Sequence, residues 1–155
     1  MPNMKLTRRS TLLGMAGGLL AAPMLAYHPA MAATPKRLMM PKLDEGKLQD
    51  GLRQFSLSVA MGQTEFLPGI QTDTIGINAD FLGPVLLLRA NETARLNVTN
   101  LLSEQIALHW HGLNLPARMD GGPHQPIAPA ATWQPEFPVL GRAGTYWYHA
   151  HQHGK

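Results

Sequence analysis

The chain has 155 residues, room for one domain and little more. It contains no cysteine, which excludes a disulfide framework and any thiolate metal ligand. The formal charge of +3 arises from Lys5, Arg8 and Arg9; the remainder balances ten basic against ten acidic residues, so nothing electrostatic argues for nucleic-acid binding.

Residues 1–32 have the composition of an export signal. Lys5, Arg8 and Arg9 give a positive start, and an apolar, small-residue run follows from Leu12 to Ala26. Ala30-Met31-Ala32 offers the small-x-small pattern of a signal-peptidase site, which predicts cleavage before Ala33. Gly14, Gly17, Gly18 and Pro23 interrupt the run. It is also shorter than the roughly 20 apolar residues a spanning helix needs, so no stable membrane anchor is expected. Thr7-Arg8-Arg9-Ser10-Thr11-Leu12-Leu13 resembles the twin-arginine signal of bacteria; an ordinary secretory signal is the alternative. Either route leads out of the cytoplasm. The expected location is the periplasm, with the twin-arginine export machinery as a transient partner.

Residues 33–52, with Pro35 and Pro41, read as a linker or extended lead-in. From residue 53 onward the pattern turns to β. Arg53 to Ala60 alternates, with Phe55, Leu57 and Val59 on one face. Pro84 to Leu88 is a short apolar run. Thr93 to Leu101 alternates again, with Leu96 and Val98 assigned to opposite sides. Ile106 to Leu115, Trp133 to Leu140 and Thr145 to His151 complete the candidate strands. Turn clusters separate them at Leu67-Pro68-Gly69, Leu82-Gly83-Pro84, Asp120-Gly121-Gly122-Pro123 and Gly141-Arg142-Ala143-Gly144. Short strands with Gly/Pro punctuation, and no long segment of helical period, predict an all-β sandwich or Greek-key barrel.

The chemistry is concentrated in histidine. Six of the seven histidines fall between positions 109 and 153, and four form the pairs His109-Trp110-His111 and His149-Ala150-His151. Residues i and i+2 of a strand share a face, roughly 6.5–7 Å apart along it. Two such pairs on adjacent strands would gather four imidazoles over one small patch. Without a metal that clustering is costly, because protonating any one repels the others. Imidazole-only ligation suits copper, zinc and nickel, and the Irving–Williams order favours copper.

Leu108-His109-Trp110-His111-Gly112-Leu113 and Trp147-Tyr148-His149-Ala150-His151-Gln152-His153-Gly154-Lys155 resemble the first two copper motifs of multicopper oxidases, the bacterial copper-efflux oxidase and laccase group above all. Asp120-Gly121-Gly122-Pro123 and Leu82-Gly83-Pro84 fit the same pattern, and the similarity runs from about residue 72 to the end. The resemblance implies a plastocyanin-like cupredoxin domain over residues 53–155. It also implies a trinuclear copper cluster that reduces dioxygen to water while a donor, a phenol or a metal ion such as Cu(I), is oxidised. By match of motif, His109 corresponds to the type 2 copper ligand, His111 and His149 to ligands of one type 3 copper, and His151 to a ligand of the other. Asp120 corresponds to the acidic residue that handles protons near the cluster, and it reads equally as a turn-former before Gly121-Gly122.

The resemblance also implies what this sequence does not contain. The four matching histidines are half the family's set, and the electron-entry type 1 copper needs a cysteine. The chain is therefore read as a truncated first domain, incomplete at its C-terminus and inactive by itself, with C-terminal cupredoxin domains as its partners. The competing readings are a non-catalytic periplasmic copper-binding cupredoxin module and a zinc site built from the same histidines. Trp110, Tyr146 and Tyr148 read as packing residues, His124 as solvated, Met39, Met40 and Met119 as packing or surface, and His153 as lying outside the ligand set.

Overall fold

In the computed structural model, which describes residues 40–152, the alternating segments become strands and the Gly/Pro clusters become the turns between them. The export signal expected over residues 1–32, the start of the lead-in, Met39 and His153 lie outside the described residues. Leu52–Leu67 (β3) continues well past the predicted Arg53–Ala60 strand. It folds back through Pro68-Gly69 into Ile70–Ile77 (β4), a strand the apolar pattern did not mark. Gly69 has φ +76, a conformation that favours glycine at the second turn position after proline. The register slips between Glu65 and Leu67, a bulge that fits this turn to the twist of the hairpin.

Leu43–Asp44 (β1) and Lys47–Gln49 (β2) lie in the lead-in, which is thus extended and paired. β1 runs parallel to Val85–Leu86 (β5), and β2 runs antiparallel to β3. Thr93–Asn100 (β6) pairs in parallel with β3 from Leu52↔Thr93 to Val59↔Asn100. Thr132–Trp133 (β8) and Glu136–Pro138 (β9) pair antiparallel with β6, so the single segment predicted over 133–140 is divided at Gln134-Pro135. Proline donates no ladder hydrogen bond. Here its carbonyl accepts from the Leu96 N–H instead.

Ala94, Leu96, Val98 and Asn100 of β6 are all buried, which corrects the assignment of Leu96 and Val98 to opposite sides: residues two apart in a strand share a face. That face joins Phe55, Leu57 and Val59 of β3, with Leu102, Ile106, Ile127 and Phe137, in one core. The second layer is a two-stranded ribbon of Leu108–His111 (β7) and Trp147–Ala150 (β10). Leu108 and Trp110 enter the core from it, and the Trp110 ring stacks on Trp133 of β8 at 6.2 Å between centroids. Fully burying each large apolar side chain contributes about 1.5–3 kcal/mol. Among the described residues, Asn100 is the one buried polar residue of the core. Its amide donates to the carbonyls of Glu104 (2.7 Å) and Ile127 (2.9 Å) and accepts from the Leu102 N–H (2.9 Å).

Candidate metal centre

β7 and β10 are antiparallel, with Trp147 opposite His111, Tyr148 opposite Trp110, His149 opposite His109 and Ala150 opposite Leu108. Alternation gives the ribbon two different faces. Leu108, Trp110 and Tyr148 pack inward. The Tyr148 hydroxyl donates to the Pro84 carbonyl at 2.7 Å. Burial, with the Asp44 carboxylate acting in the same direction, pushes that phenol up to about 12. The other face gathers His109, His111 and His149. One ring nitrogen from each lies within 4.8 Å of the other two.

The inner strand of the ribbon is held by the segment after it. Ala117–Met119 forms a 3-10 turn ending at Asp120. The Asp120 carbonyl accepts from the Trp110 backbone N–H at 3.3 Å and lies 2.8 Å from His109 Nδ1. A proton on Nδ1 satisfies that contact and leaves the Nε2 lone pair for a metal. The Asp120 carboxylate is 3.4 Å from the same Nδ1. His149 Nδ1 is likewise 2.8 Å from the Ala150 carbonyl, which again frees Nε2. That Nε2 faces His111 Nδ1 at 3.2 Å. Two nitrogens each about 2.0 Å from one ion in a tetrahedral array are separated by such a distance. A neutral, thiolate-free set of imidazoles, two of them oriented through backbone carbonyls, therefore fits a borderline d-block cation such as copper.

Of the predicted residues, the structure brings His109, His111 and His149 into one group, with Asp120 beside His109. His151 lies on the same side, its ring 5.3 Å from His109 and 5.6 Å from His149, outside the tight group. Its backbone N–H is tied to the Ala107 carbonyl at 2.9 Å. His124 is exposed, as read from its loop. Two supporting residues escaped sequence reasoning. Gln125 accepts from the Gly121 N–H at 2.8 Å and braces the turn behind His109; no motif marks it. Trp147 stacks against His111 and His149, and its place two residues before His149 was the available signal.

Comparison with known proteins decides the family: residues 58–155 match the sequence profile described as multicopper oxidase. The chain belongs to the multicopper oxidases. Among curated multicopper oxidases, it is 38% identical over 109 residues to the protein mco of Staphylococcus aureus, covering 70% of this chain and 24% of that one. It is 33% identical over 147 residues to the cell division protein FtsP of Sodalis glossinidius, covering 95% of this chain and 30% of that protein. Among solved structures, the laccase-like multicopper oxidase CueO of a lignin-degrading Ochrobactrum superposes with a TM-score of 0.70 at 39% identity, over 76% of this chain and 26% of that one. The two-layered β architecture is thus the cupredoxin sandwich of a multicopper oxidase. The chain spans about a quarter of the length of the multicopper oxidases it matches.

Proposed function

We propose that this multicopper oxidase domain supplies His109, His111, His149 and His151 as half of a trinuclear copper cluster, the type 2 ligand being His109 and the type 3 ligands the other three. The observation that carries this reading is the convergence of His109, His111 and His149, with the 3.2 Å approach of His111 Nδ1 to His149 Nε2. Further cupredoxin domains supply the remaining ligands and the site where a reducing substrate, a phenol or a metal ion such as Cu(I), is oxidised. Copper bound there supplies one-electron redox chemistry and the place where dioxygen is reduced to water.

The residues of this chain orient and supply protons. The Asp120 carbonyl fixes the His109 tautomer and ring plane. The Ala150 carbonyl does the same for His149. The Asp120 carboxylate, half-buried beside His109 with Oδ2 3.4 Å from Nδ1, is the group of this chain placed to pass protons toward the dioxygen being reduced. Trp110 and Tyr148 fill the inner face of the ribbon and keep its outer face fixed over the core.

The same reading takes residues 1–32 as a twin-arginine leader and the periplasm as the working compartment, supported by the sequence around Arg8-Arg9. The test joins this chain to the C-terminal domains of the Ochrobactrum relative. Copper content, dioxygen consumption and the N-terminus of the exported product are then measured. Copper rather than zinc in the purified protein, oxygen uptake abolished by His149→Ala, and a mature start at Ala33 are expected. Uptake that survives His149→Ala, or a zinc-filled site, would sink the oxidase assignment. A product retaining residues 1–32 would overturn the export assignment alone.

A further inference from the structure

Trp147 is a fourth ring on the histidine face of the ribbon, beside His109, His111 and His149. It stands directly across from His111 and two residues before His149, so alternation turns all three the same way. Its ring lies 4.6 Å from His111 at 25° and 4.2 Å from His149 at 21° between planes. Both are stacked arrangements, and both partners belong to the pair whose nitrogens approach to 3.2 Å. Yet Trp147 is 57% exposed, whereas Trp110, the other tryptophan of the ribbon, is 3% exposed and belongs to the core. Core packing does not account for a large aromatic ring left in water at this position.

We propose that Trp147 is a positioning residue: its indole is the plate against which the His111 and His149 imidazoles are held in the orientation that grips a metal ion. This rests on the copper reading above. Two effects act together. An imidazole free to rotate loses that freedom when it binds a metal, and the stack removes the freedom beforehand. Metal binding also draws electron density from the imidazole, and the electron-rich face of an indole favours the positive ring that results. The stack therefore favours the loaded site over the empty one.

The test uses the full 155-residue chain with Cu(II) as the probe, titrated against a chromophoric chelator. Groups that orient metal ligands typically contribute 10–100-fold in affinity, so Trp147→Leu is expected to weaken Cu(II) binding about tenfold. Trp147→Phe keeps a flat ring and is expected to restore most of the loss. The Cu(II) EPR spectrum should change in Trp147→Leu and return toward the parent form in Trp147→Phe. Metal-free melting temperatures should stay together, because Trp147 is not part of the core. Affinity and EPR spectrum unchanged in Trp147→Leu would overturn the inference. So would equal losses in the Phe and Leu variants, or losses that track a fall in metal-free melting temperature. Parallel titration of His149→Ala separates the two levels of argument: if that variant binds Cu(II) like the parent, the copper reading itself fails, whatever Trp147 does.

Discussion

Gly121 shows how closely a backbone position and a ligand can be coupled. Its φ is +72, and a Cβ there would overlap the Leu108 carbonyl and crowd the His109 backbone. Asp120-Gly121 is thus a contact surface for β7 as well as a turn. Gly121→Ala has to strain its own backbone and push away the strand that carries His109. A destabilisation of about 2 kcal/mol or more is expected, opposite in sign to the effect of a strain-free Gly→Ala change. Urea denaturation of the metal-free chain checks it, and a variant as stable as the parent would remove this account of the Asp-Gly-Gly turn. The Asp120 side chain was ambiguous in the sequence between turn former and proton carrier. The backbone of Asp120 ends the 3-10 turn while its carboxylate lies 3.4 Å from His109 Nδ1, so the turn position and the place beside the histidine belong to one residue.

Among the elements, β6 and the loop after it depend on Asn100. With three hydrogen bonds and no exposure, its amide ties the strand end to Leu102, Glu104 and Ile127. Asn100→Leu fills similar space but leaves two carbonyls and one N–H without that partner. The expected cost is about 2–4 kcal/mol, since each buried polar group left unmatched costs about 1–3 kcal/mol and part of that is recovered by relaxation. Thermal melting measures it, and a shift of under a degree would contradict the network. Asn100 was invisible in the sequence because an asparagine at a strand end reads as ordinary turn chemistry. The histidine face, by contrast, was legible. His-x-His has the period of a strand, which puts both members of each pair on one face; the register was not legible, because laying one motif antiparallel on the other would set His109 opposite His151, whereas His109 pairs with His149 and His111 with Trp147. Phe55, Leu57 and Val59 were legible from the same period. β4 was not, because Ile70 and Ile75 are exposed on a hairpin that makes its own ladder without a buried face to impose alternation. Nor were β1 and β2, whose pairing with β5 and β3 is a tertiary matter that two or three residues cannot announce.

At the scale of the whole molecule, Arg53 joins three parts of the chain. Its guanidinium grips the Glu92 carboxylate, with Nη2 to Oε1 at 2.9 Å, and donates from Nη1 to the Glu45 carbonyl at 2.9 Å. Arg89 adds a 3.0 Å contact to the Glu45 carboxylate. The lead-in, β3 and the turn before β6 meet there. The hydrogen bond from Arg53, and then its charge, hold Glu92 below the usual carboxylate range. Around and below about pH 4.3, the ordinary glutamate value, the unfolded chain therefore binds more protons at this position than the folded one does. The stabilisation is present above that value and is lost as pH falls through the folded-state value. The urea midpoint should drop on acidification, and Glu92→Gln should flatten that part of the profile. Parallel profiles for the two proteins would show that the pair contributes nothing to acid stability.

The ribbon of β7 and β10 carries one more consequence. Among the described residues β10 pairs with β7 alone, and the imidazoles of the two strands face each other across that single ladder. On the proposed reading, an ion gripped by His111 and His149 is a clasp that closes the whole excursion of chain between them. Occupancy and folding then share one equilibrium: at an ion concentration one hundred times its dissociation constant, the closed ribbon gains about 2.7 kcal/mol by mass action. Without the ion this ladder would lose its clasp, and scarcity of the ion would be felt as fraying of the ribbon.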